Sequence, residues 1–102
     1  MKLSTLRTTL GTVITIETDE SLDLRAQGVF QRACRLAEQP DLNFIEVNLG
    51  NTRNLRGSGV GLLKMLREHT APDRHLIRLV NCRPEIRRQL LTSSMRKHFR
   101  VM

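Results

Sequence analysis

Short apolar stretches that alternate with polar residues are each followed by a stretch whose apolar residues recur at spacings of three and four. This switching of period limits the architecture more than any other feature of the chain. The segment Gly11-Thr12-Val13-Ile14-Thr15-Ile16 is rich in β-branched residues and reads as a strand, ended by the polar run Glu17-Thr18-Asp19-Glu20. From Leu22 the period changes. Leu22, Ala26, Val29, Phe30, Ala33 and Ala37 then share one helical face, with Ser21 or Asp23 as the expected N-cap. Gln39-Pro40-Asp41 stops that helix, because a residue before Pro avoids the α region. In Phe44-Ile45-Glu46-Val47-Asn48-Leu49, the residues Ile45, Val47 and Leu49 fall on one side and Glu46 and Asn48 on the other, the mark of a second strand.

The glycine-rich Gly57-Ser58-Gly59-Val60-Gly61 opens the next helix, whose Leu62, Leu63 and Leu66 face inward, and Thr70-Ala71-Pro72-Asp73 breaks it. A third strand spans Leu76 to Cys82. Pro84 suits the first turn of a helix with Ile86, Leu90 and Leu91 inward, which leaves Arg83, Arg87 and Arg88 for solvent or a partner. A last short helix is expected after Ser93 or Ser94, with Met95 and Phe99 as its buried pair. An extended piece around Leu3 to Leu6 has less alternation behind it. The order strand, helix, strand, helix, strand, helix, helix implies one α/β domain of two or three layers, without internal repeats.

The 102 residues suffice for one core, and with three Phe, no Trp and no Tyr that core must be aliphatic. The formal charge of +7 is unevenly spread: residues 1–52 sum to −2 and residues 53–102 to +9. The second half therefore offers an electropositive surface to something acidic. Direct nucleic-acid binding is not expected, since Phe30 and Phe99 lie on apolar faces and leave no stacking platform. No window has the length of a membrane span, and the start lacks the regions of a signal peptide, so a cytoplasmic protein without membrane insertion is expected. Cys34 and Cys82 are far apart in apolar stretches and read as reduced, buried thiols.

Nothing in the pattern announces catalysis. His69, His75 and His98 stand in no metal-binding spacing, the acids are isolated, and no metal or other cofactor is expected. His69 reads as a residue at a helix C-terminus, beside the negative end of the dipole, or as solvent-exposed. The distinctive local feature is Arg56-Gly57-Ser58-Gly59-Val60-Gly61. It lacks the G-K-[ST] of a P-loop and the spacing of a dinucleotide fingerprint. A purely structural role has Ser58 capping the helix and the glycines letting it pack close to the sheet. A functional role has backbone N–H groups aimed at an anion.

Taken in order, several of these segments resemble the STAS domain of the anti-sigma factor antagonists of bacterial partner-switching systems. The resemblance is carried by Phe44 to Leu49, by Ser58-Gly59-Val60-Gly61-Leu62-Leu63, and by Leu79-Val80-Asn81-Cys82-Arg83-Pro84 through Leu91. Leu22-Asp23 and the closing Phe99-Arg100-Val101, which is similar to the family's final helix and tail, extend it over nearly the whole chain. It implies a single STAS-like domain over residues 1–102, a small mixed β-sheet packed with about four helices.

The resemblance also implies a protein-binding role in transcription regulation: docking on an anti-sigma factor that is commonly a serine-protein kinase, with phosphorylation at the start of the second helix cancelling the contact. The implied partner-binding residues are Asp23, Arg53, Arg56, Gly57, Ser58, Gly59 and Val60. The family usually reads Asp-Ser-Ser-Gly or Asp-Ser-Thr-Gly in this turn, whereas here Arg56 stands at the Asp and Gly57 at the usual phosphoacceptor. Ser58, the only hydroxyl left in the turn, becomes the candidate phosphoacceptor, and the expectation is binding without the usual brake. Small STAS proteins also serve as cytoplasmic subunits of lipid-transport ABC complexes, and an anion- or nucleotide-binding module is a third reading. A homodimer stays open, and aliphatic residues left exposed on an edge or on the second helix would mark one.

Overall fold

The computed structural model describes residues 1–70, 77–92, 97 and 99–102. The elements run β1 (Lys2–Thr8), β2 (Gly11–Glu17), β3 (Ser21–Leu22), a 3-10 turn (Leu24–Ala26), α1 (Gln27–Ala37), β4 (Leu42–Asn48), β5 (Asn54–Leu55), α2 (Gly57–Thr70), β6 (Ile77–Val80), α3 (Pro84–Thr92) and β7 (Arg100–Val101). Among the described residues they form a five-stranded sheet in the order β1-β2-β4-β6-β7 and a two-stranded sheet of β3 and β5. Only β1 runs antiparallel to its neighbour in the large sheet.

The β1–β2 hairpin turns at Thr9 and Leu10. The Thr8 hydroxyl donates to the Gly11 carbonyl at 2.8 Å and accepts from the Leu10 N–H at 3.1 Å. Gly11 holds φ +123°, and a Cβ there would collide with the Asp41 carbonyl, so no other residue fits without strain. Thr12 completes the join between hairpin and β4: its N–H donates to the Asp41 carbonyl at 2.7 Å and its hydroxyl to the Asp41 carboxylate at 2.6 Å.

Ile14, Ile16, Ile45, Val47, Ile77 and Leu79 point to one side of the sheet and are fully buried. Phe30, Ala33 and Ala37 of α1, Leu62, Leu63 and Leu66 of α2, and Ile86 and Leu90 of α3 join them in one core cluster. The alternate residues Val13, Thr15, Phe44, Glu46, Arg78 and Val80 stay half-buried and outside that cluster. The domain is therefore two-layered. On its uncovered face the Arg78 guanidinium lies 3.9 Å from the centre of the Phe44 ring, a cation–π contact that shields the aromatic surface.

The strands expected at residues 11–16, 44–49 and 76–82 and the helices opening at Gly57 and Pro84 are present, with small changes at their ends. The stretch from Leu22 departs from a single helix. Leu22 belongs to β3, and Asp23 is extended (φ −148°, ψ −167°) and caps the 3-10 turn by accepting from the Arg25 N–H at 3.0 Å. Only from Gln27 does the α-helix run. The apolar period survives because Leu22, Ala26, Phe30, Ala33 and Ala37 are all buried in the same core.

The tail also departs from expectation. Phe99 is buried, but Arg100–Val101 pair in parallel with Arg78 and Leu79 as β7 and do not continue a helix. The short helix expected after Ser93 or Ser94, with Met95, lies outside the described residues. Three α-helices and one 3-10 turn are found among those described, in line with the small mixed sheet packed with about four helices that was expected. Cys34 is buried as expected; Cys82 is only half-buried, and both are free thiols. Burial is the main cause that pushes each thiol's pKa up, so each is held in its neutral form.

Candidate functional site

The two-residue ladder between β3 and β5 assembles the candidate surface. Ser21 pairs with Asn54 and Leu22 with Leu55 in parallel. The Glu20 carbonyl accepts from the N–H groups of Arg53 (2.8 Å) and Asn54 (3.0 Å), and the Leu22 carbonyl from the N–H of Arg56 (3.1 Å). These bonds bring Asp23, which lies 30 residues before Arg53, alongside the turn that enters α2. A buried hydroxyl pair anchors the ladder from below. Thr18 and Thr52 are hydrogen-bonded to each other through their side chains, and the Thr52 hydroxyl also donates to the Asp19 carbonyl at 2.7 Å. On the far side, the Gln89 side-chain amide of α3 donates to the Leu55 carbonyl at 3.0 Å.

At the helix entry, the Arg56 carbonyl accepts from the Val60 N–H at 3.0 Å, which makes Arg56 the residue in the capping position. Its side chain has no acceptor to offer the first-turn N–H groups. Ser58 therefore does not cap the helix: α2 starts at Gly57 and the serine sits one residue inside it. Its side chain is exposed and makes no hydrogen bond among the described residues. Gly59 is buried, and a Cβ there would collide with the Leu22 carbonyl, so this glycine does permit the close approach. Gly57 and Gly61 face open space and need no such explanation.

Arg53, Arg56, Gly57 and Ser58 are exposed, Val60 and Asp23 are half-buried, and Gly59 lies beneath them. All seven residues singled out from the sequence thus occupy one end of the domain, around the entry to α2. The Asp23 carboxyl is held below the usual carboxylate range first by its side-chain hydrogen bonds from Arg25, then by the Arg25 backbone N–H, and more weakly by the Arg56 charge. Arg25 is mostly exposed, so this ion pair at 3.0 Å contributes little to stability. Beside it a cleft of about 380 Å³ is bordered by Asp19, Glu20, Ser21, Asp23 and Arg25. Arg53 and Arg56 have no ion-pair partner among the described residues. The surface thus carries uncompensated positive charge at the positive end of α2, next to a cleft whose Asp19 and Asp23 are paired with the Met1 amine and with Arg25.

Sequence reading did not bring out the positions that hold this surface together. Thr18, Thr52 and Gln89 are polar residues whose partners lie about 30 residues away in the chain, and no local period marks them. His69 is exposed at the end of α2, with its Nδ1 3.0 Å from the Met65 carbonyl; His75 and His98 lie outside the described residues. Among the described residues no group of three or more His, Cys, Asp or Glu is arranged to hold a metal ion. None of the described helices is long and apolar enough to cross a membrane.

A two-layered α/β domain with a mixed sheet, a parallel β3–β5 pair and a glycine-bearing turn into α2 has the architecture of a STAS domain. The more particular likeness is to an anti-sigma factor antagonist. The solved structure of the antagonist SpoIIAA in its unphosphorylated form superposes with a TM-score of 0.74, at 18% identity over 99% of this chain and 88% of that one. A STAS-domain containing protein of Pseudomonas aeruginosa (strain UCBPP-PA14) is 29% identical over 101 residues, covering 99% of both chains. No family model matches the sequence. The fold is that of SpoIIAA, and the sequence is similar over nearly its whole length to a STAS-domain containing protein.

Proposed function

We propose that the chain is a binding protein, not an enzyme, which docks on an anti-sigma factor, of the serine-kinase kind, in a bacterial partner-switching pathway that regulates transcription. The observation that carries this reading is the β3–β5 ladder, which holds Asp23, Arg53 and Arg56 together at the entry to α2 within the fold of an antagonist. Arg53, Arg56 and the exposed start of α2 meet an acidic patch on the partner, and Asp23 meets a basic group at its edge. The usual phosphoacceptor position is Gly57, which has no hydroxyl, so the contact forms without the usual brake. Ser58 is the remaining hydroxyl of this turn that a kinase can reach.

Capture of partners from a nuclease-treated lysate, with the bait checked for phosphate, tests this reading. Recovery of a small serine kinase or anti-sigma factor, lost on Arg56→Glu, supports it. Recovery of ABC-transporter subunits would instead assign a lipid-transport role, and stoichiometric phosphoserine at Ser58 would restore the brake. The variant Gly57→Ser, which restores the hydroxyl and keeps Arg56, should become a substrate of the recovered kinase. A phosphoryl group there adds about −1.5 to −2 charges and should abolish binding.

A further inference from the structure

The antiparallel strand β1 is the outer edge of the large sheet, seven residues long and, among the described residues, paired only with β2. An antiparallel ladder engages the backbone of alternate residues on each side, so the outer side of β1 presents a row of free N–H and C=O groups. Alongside it runs a groove of about 390 Å³ walled by Leu3, Ser4 and Thr5 of β1 and by Arg32, Arg35 and Leu36 of α1. A sheet edge facing a helix across a groove is the geometry in which an extended peptide adds as a further strand, with backbone bonds on one wall and side-chain selection on the other. Leu3 and Leu36 are half-buried and offer the groove an apolar floor, while Arg32 and Arg35 are exposed and form no ion pair among the described residues.

We propose that this groove binds an extended acidic segment of a protein partner by strand addition to β1, with Arg32 and Arg35 selecting for carboxylates. The charges favour that occupant over a second copy of the chain. Antiparallel pairing of β1 with itself would bring the Arg32 and Arg35 side chains of both copies to the same seam, where like charges repel. The groove lies on β1 and α1 and includes none of Asp23, Arg53 or residues 56–60, so the proposal stands apart from the docking surface at α2.

The test uses a fluorescein-labelled peptide as long as β1 that alternates Thr and Glu, its counterpart with Lys for Glu, and a version of the first with alternate amides N-methylated. Fluorescence anisotropy on the intact chain should show the Glu peptide binding at least about tenfold more tightly than the Lys peptide. N-methylation should abolish the binding, and amide shifts in NMR spectra should be confined to β1 and to the flank of α1 that carries Arg32 and Arg35. The double variant Arg32→Glu with Arg35→Glu changes exposed side chains without ion pairs, so the fold is retained, as circular dichroism would verify. It should reverse the preference to the Lys peptide. Equal binding of the N-methylated peptide, shifts centred on the α2 turn, or competition by a single-stranded oligonucleotide at equal charge would each overturn strand addition. The last of these would mark a general polyanion surface instead.

Discussion

Gly59 and Gly61 sit two positions apart in the same helix and have opposite reasons to be there. A methyl group at Gly59 would run into the Leu22 carbonyl, whereas the space around Gly61 is open. Gly59→Ala should therefore destabilise the domain by about 1–3 kcal/mol through overpacking against backbone that β5 holds in place. Gly61→Ala should stabilise it by about 0.5–1 kcal/mol, because glycine inside a helix is unfavourable relative to alanine. Urea unfolding of the two variants checks both signs; two equal losses would mean that α2 does not approach β3 as described. The Ser-Gly-Val-Gly motif made this turn visible in the sequence, but spacing alone could not say which glycine is sterically required. That depends on Leu22, which is brought in by a ladder with no sequence period of its own.

Elements were legible where their periodicity was supported by burial. Ile45, Val47 and Leu49 alternate because a helical layer covers one face of β4, and all are fully buried. Strand β1 was hard to read for the converse reason: it is an edge, most of its side chains meet water, and it has no apolar alternation to display. Strands β3 and β5 have two residues each, too few for any period, and exist because tertiary contacts supply their bonds. Thr52 is central among those contacts. Thr52→Val keeps the shape but leaves the Asp19 carbonyl short of its hydroxyl donor and the Thr18 hydroxyl with the Asn48 carbonyl alone, at about 1–3 kcal/mol. Hydrogen exchange at the Arg53 and Asn54 amides should accelerate by more than the global loss of stability explains; unchanged relative protection there would show that the hydroxyl pair does not hold the ladder.

Across the whole molecule the charge sum of +7 makes acid conditions unfavourable, since protonating carboxylates raises an already positive charge. Asp41 sharpens this effect. Its carboxyl is held below the ordinary range mainly by the hydrogen bond from the Thr12 hydroxyl, with Arg7 adding a weaker attraction. The folded pKa is thus below the unfolded one, so the stabilisation is full above the unfolded pKa and is lost as pH falls through the folded value. Stability should decline on acidification through the carboxylate range, and Asp41→Asn should flatten that decline while lowering stability at neutral pH. Parallel acid titrations of the two proteins would refute the assignment.

The ladder that ties residues 53–56 to β3 also bears on the timing of the recognition proposed for this surface. A turn fixed by backbone bonds from Glu20 and Leu22 has little left to order when a partner arrives. Encounters should then be limited by diffusion and by the long-range attraction of Arg53 and Arg56, which salt weakens. How long a complex lasts should depend on the close contacts made once the surfaces meet. Substitutions that loosen the ladder should slow association, whereas trimming a single contacting side chain should shorten the residence time.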